Sequence, residues 1–84
     1  MSKLTAAIVK EQGNVFTVIM VKQGYANQQT LNSYTQSMPR DLPRPIVLAE
    51  QSASGTRYFG HPNIVNFLSS IYAEQLPWKE YSLQ

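Results

Sequence analysis

Residues 56 to 76 constrain the fold of this chain most. From Ile64 the apolar side chains fall at Ile64, Phe67, Leu68, Ile71, Tyr72 and Leu76, steps of three and four that place them on one face of a helix. Asn63, Asn66, Ser69, Ser70 and Glu74 fall on or near the other face. Proline marks both ends. Pro62 suits the first helical position, where an N–H would lack a partner anyway. Pro77 disfavours helix at Leu76 and cannot continue the ladder. His61 is thereby predicted to be the cap residue. Burying Phe67, Leu68 and Ile71 contributes about 1.5 to 3 kcal/mol each, yet a helix of this length is marginal in water without a surface to lie on. The rest of the chain has to supply a sheet.

Four stretches read as its strands. Residues 3 to 11 place Leu4, Ala6 and Ile8 on one face and Thr5, Ala7 and Val9 on the other. Gln12-Gly13-Asn14 is a turn signal. Residues 15 to 22 are rich in β-branched side chains and apolar on both faces apart from Thr17 and Lys22. Such a strand is central or covered on its second side, by a helix on one face and a second subunit on the other. Pro45 to Gln51 and Thr56 to Gly60 form the third and fourth strands around a Ser52-Ala53-Ser54-Gly55 loop. Between the halves, Tyr25 to Ser37 is a polar stretch. Leu31, Tyr34 and Met38 sit at helical spacing and Asn27 suits the cap, so a short helix is expected, with a long mobile loop as the alternative. The connector 39–45, with Pro39, Pro43 and Pro45, is stiff and extended, and Pro43 or Pro45 is a candidate for a cis peptide bond. The tail from Trp78 alternates large and polar residues, which suits packing at an edge or a short added strand.

The expected fold is a small α+β domain spanning residues 1–84, a single-layer antiparallel or mixed sheet of about four strands with its helices on one face, in the order ββαββα. A faint echo, Ile8-Val9-Lys10-Glu11-Gln12-Gly13 against Ile46-Val47-Leu48-Ala49-Glu50-Gln51-Ser52, points to two ββα halves.

Composition narrows function mainly by exclusion. The 84 residues contain no cysteine and one histidine, which removes thiolate nucleophiles, disulfides and cysteine-based metal sites. The glycines are isolated, so no phosphate-binding loop is expected, and no Gly-x-Ser-x-Gly elbow occurs. Neither a secretory leader nor a membrane span is read, since Leu4 to Val9 is too short for either. Net charge is +2 with 14% of residues charged. A surface so poor in charge relies on Gln, Asn, Ser and Thr for solubility and repels other proteins weakly.

The residues singled out for function are Lys10, Lys22, Arg57, Phe59, His61, Trp78 and Tyr81. His61 is read as a turn and capping residue, with a general base or an anion contact at the helix mouth as its functional alternative. Alternation puts Arg57 and Phe59 on one face, where with Lys10 and Lys22 they could hold phosphates and stack bases. Trp78 and Tyr81, if exposed together, would make an interface anchor; the plainer reading has Trp78 closing the core. Glu11 and Glu50 are read as solvated charges at strand ends. The function expected is a small non-enzymatic protein-interaction module in the cytoplasm, a homodimer or the binder of another protein, with no cofactor, metal or membrane. Single-stranded nucleic-acid binding is the alternative, not favoured at so low a net charge.

Overall fold

The computed structural model describes residues 2–11, 13–37 and 42–83. Met38, Pro39, Arg40 and Asp41 of the expected second helix and connector, and Gln12 of the expected turn, lie outside the described residues. The elements follow as β1 (Ser2–Glu11), β2 (Asn14–Val21), α1 (Gln28–Ser37), β3 (Ile46–Ser52), β4 (Gly55–Phe59), α2 (Pro62–Ser69), a short 3₁₀ turn (Ala73–Gln75) and β5 (Trp78–Leu83). The strands make one five-stranded sheet in the order β4-β3-β2-β1-β5. All neighbours are antiparallel except β2 and β3, which run parallel and are joined by α1.

Two expectations are corrected here. The sheet has five strands because the tail pairs along β1, from Ser2 opposite Leu83 to Ala7 opposite Trp78. The helices lie on opposite faces of it. One face carries Leu4, Ala6, Ile19, Val21, Ile46 and Leu48, with Leu31 and Tyr34 of α1 packed against them. The other carries Ala7, Val9, Phe16, Val18, Val47 and Ala49, with Ile64, Val65, Phe67 and Leu68 of α2. The strand directions explain the arrangement. Two ββα halves with these pairings are related by a half-turn about an axis lying in the sheet across the strands, and that operation exchanges the faces. Gly60 makes the second crossing. Its φ of +155° is poorly available to other residues, and a Cβ there would meet Val47 Cγ2 at 3.1 Å, so the chain passes tightly over β3.

Helices on both sides account for the apolarity of β2. Phe16 and Val18 are buried under α2, where Phe16 meets Phe67 edge to face with ring centroids 6.4 Å apart, and Ile19 is buried on the α1 side. That apolarity therefore does not bear on whether a second subunit is present. The polar Thr17 in the same strand is fully buried and used: its Oγ1 donates to the Pro43 carbonyl at 2.6 Å, and its N–H donates to the Pro45 carbonyl at 3.2 Å. The Arg44–Pro45 bond is the cis one. Arg44 Nη2 donates to the Thr35 carbonyl at 2.7 Å, satisfying one of the carbonyls left open in the last turn of α1.

Both predicted helix starts are found. Asn27 Oδ1 accepts from the Thr30 N–H at 2.9 Å, and His61 Nδ1 accepts from the Asn63 N–H at 3.2 Å. The end of α2 differs from expectation. It stops at Ser69 rather than running to Leu76. Ser69 Oγ donates back to the Val65 carbonyl and Ser70 Oγ to the Phe67 carbonyl, at 2.8 and 2.6 Å. Hydroxyls bonded this way compete with the backbone ladder, and the last turn tightens to bonds from Ser70 N to Phe67 O and from Ile71 N to Leu68 O. Among the described residues no helix is long and apolar enough to cross a membrane.

Candidate docking groove

Because α2 is short, it covers only part of its face of the sheet. Beyond Leu68 the chain turns through Ile71, Tyr72 and the 3₁₀ turn before Trp78 enters β5. A cavity of about 570 Å³ remains between this turn and the sheet. Its floor is Thr5 and Met20, and its walls include Tyr58, Ile71, Tyr72 and Trp78, with Glu74 at the rim. Each wall is set by a local rule. Alternation along β4 aims Tyr58 to the α2 face, opposite to Arg57 and Phe59. Trp78 is half-buried with Ala7 as its cross-strand partner, and its indole Nε1 donates to the Ala73 carbonyl at 2.7 Å, which fixes the ring against the 3₁₀ turn. Tyr72 is 71% exposed although the helical spacing placed it on the buried face; the early stop of α2 turns it outward.

Beside the groove one polar group has no partner. The Tyr58 hydroxyl is buried yet makes no hydrogen bond, and burial pushes its pKa above the ordinary phenol value. Leaving such a group unmet costs about 1 to 3 kcal/mol.

The residues predicted from sequence do not assemble into one site. Arg57 is exposed at 73% and its Nη1 sits 3.3 Å from Glu50 Oε1. Phe59 shares that face but packs into the α1-side core. Lys10 lies at the hairpin end of β1 opposite Val15, whereas Lys22 follows the far end of β2. Trp78 packs on the α2 side and Tyr81 on the α1 side, so the two rings belong to opposite faces. His61 is exposed at the start of α2 and lines a separate cavity of about 440 Å³ with Val15, Phe16, Pro45 and Phe67. Its Nδ1 acts as acceptor, which leaves the proton of the neutral ring on Nε2. No carboxylate lines that cavity among the described residues, and no cluster of three His, Cys, Asp or Glu suited to a metal occurs among them.

Glu50 requires a correction. The sequence reading made it a solvated charge, but it is 4% exposed. Its Oε2 accepts from the Gly24 N–H at 2.6 Å, tying the β2–α1 loop to β3. Comparison of the chain with known protein families, with curated proteins and with solved structures finds no match.

Proposed function

We propose that this chain is a small non-enzymatic protein-interaction module of the cytoplasm, and that the groove between the turn after α2 and the sheet is its docking surface. The observation that carries this reading is the open cavity of about 570 Å³ walled by Tyr58, Ile71, Tyr72 and Trp78. Tyrosine and tryptophan in a concave apolar setting are the residues on which binding energy concentrates. The occupant that fits is a short extended segment of another protein, with one aromatic or branched aliphatic side chain seated in the cavity. A second copy of the chain is the competing occupant.

Panning a random peptide library on the immobilised domain tests this. The expected result is enrichment of peptides sharing one large apolar anchor, whose affinity falls about tenfold in Tyr72→Ala, a hot-spot-sized loss. Tyr72 is largely exposed, so the substitution should leave the fold intact. Failure to enrich any such motif, or binding that ignores Tyr72→Ala, would refute the reading. Light scattering on the same samples decides the occupant: a dimer that dissociates in Tyr72→Ala would assign the groove to self-association.

A further inference from the structure

We propose that the end of the sheet beside the groove is an anion site, so that the segment docked in the groove carries an acidic residue two positions from its apolar anchor; this rests on the docking reading above. In the β1–β2 ladder Thr5 lies opposite Met20. The ladder ends at that pair, and Lys3 and Lys22, two residues beyond it on either side, line one cavity. Both side chains are exposed, and two ammonium groups on one cavity repel each other. Neither lysine is ion-paired among the described residues. Glu80, opposite Thr5 and so diagonal to Lys3 on β5, forms no such pair with it. Glu50 is committed to Gly24 and Arg57.

The two lysines border a cavity of about 360 Å³ at the end of the sheet, where Leu4, Val21 and Tyr34 of the α1 side also line it, with Tyr25 and Thr30. Tyr25 is 57% exposed and offers a flat ring beside the ammonium groups. Thr5 and Met20 line this cavity as well as the groove, so the two meet over one cross-strand pair. Lys3 and Lys22 lie two residues further along their strands, about 7 Å away. One dipeptide step of an extended segment spans the same distance, which sets the spacing between anchor and acid. Charge complementarity then selects carboxylate over ammonium at that position.

The probes are two capped peptides, acetyl-Trp-Gly-Asp-Glu-amide and its neutral counterpart acetyl-Trp-Gly-Asn-Gln-amide, followed by amide shifts of the isotope-labelled protein at low ionic strength. The acidic peptide should bind about three- to tenfold more tightly, as expected for two exposed ion pairs, with shifts at Lys3, Lys22 and Tyr25. The advantage should disappear at high salt and in the double variant Lys3→Gln/Lys22→Gln. Equal affinity of the two peptides for the wild-type protein, with shifts in the groove, would overturn the anion site and leave the docking reading standing. Shifts confined to the lysine end, with none at Tyr58 or Tyr72, would keep the anion site and overturn the docking reading. Absence of any binding would overturn both. A short oligothymidylate that binds through the same lysines more tightly than the acidic peptide would overturn the peptide assignment in favour of nucleic acid.

Discussion

Replacing Glu50 separates two contributions that meet on one carboxylate. Its Oε2 accepts the Gly24 N–H at 2.6 Å, and its Oε1 faces Arg57 at 3.3 Å. The first is a short, charge-assisted bond reaching across 26 residues of sequence, and hydrogen bonds of that kind contribute about 1.5 to 3 kcal/mol. The second pairs a buried group with one that is 73% exposed, so solvent screens it and its worth is about 0.2 to 1 kcal/mol. Glu50→Ala removes both contacts and leaves the Gly24 N–H to solvent. It should therefore cost about 2 to 3 kcal/mol, Glu50→Gln about 1 to 2 because the amide oxygen still accepts, and Arg57→Ala less than about 1. For a domain of this size each kcal/mol moves the melting temperature by about 4 to 8 °C. Urea unfolding of the three variants checks the ranking, and hydrogen exchange at the Gly24 amide checks the cause, since Glu50→Ala should deprotect it and Arg57→Ala should not. An Arg57→Ala loss equal to that of Glu50→Ala would refute the argument and move the stabilisation from the loop latch to the ion pair.

Further outcomes follow from the other strained or unsatisfied points. Tyr58→Phe removes a buried hydroxyl that has no partner, so at neutral pH it should leave stability unchanged or raise it by up to about 1 kcal/mol; a loss beyond that in urea unfolding would mean the hydroxyl is bonded. With the folded-state pKa raised, the unfolded chain gives up this proton first as pH rises. The contribution is thus fully present below about pH 10, the ordinary phenol value, and is lost above it. Tyr58→Phe should flatten that alkaline fall, and parallel stability curves for the two proteins would contradict it. Gly60→Ala should cost about 1 to 3 kcal/mol, because its Cβ would approach Val47 Cγ2 at 3.1 Å with φ held at +155°; a chemical melt showing no loss would mean the crossing is not tight.

Where a structural feature depended on side chains a few residues apart, it was legible from the sequence. The two faces of β1, Leu4, Ala6 and Ile8 against Thr5, Ala7 and Val9, are those found. The caps at Asn27 and His61 likewise follow from local hydrogen-bond chemistry. What escaped was decided at long range. Nothing near Trp78 indicates that its strand pairs with the first residues of the chain, and the side on which each helix lies follows from the parallel pairing of β2 with β3 and from the crossing at Gly60. Two misses had signals in plain view. Glu50 continues the alternation of Ile46 and Leu48, which puts it on a buried face, and Ser69-Ser70 mark the point where α2 gives way, freeing Tyr72.

A helix continuing through residues 70 to 76 would have laid more apolar surface over Met20 and Tyr58, and in a chain of 84 residues each buried side chain is a sizeable fraction of total stability. Instead the two serines bend the backbone away, Trp78 is bonded to the Ala73 carbonyl at 2.7 Å, and the space beside Tyr58 stays open. Trp78 and the 3₁₀ turn hold the walls in place without an occupant, so a segment entering the groove would not first have to order it. Affinity gained in this way comes from avoided conformational entropy rather than from added area. The rigid pair of Trp78 and the Ala73 carbonyl is therefore the feature to which docking should be most sensitive after Tyr72.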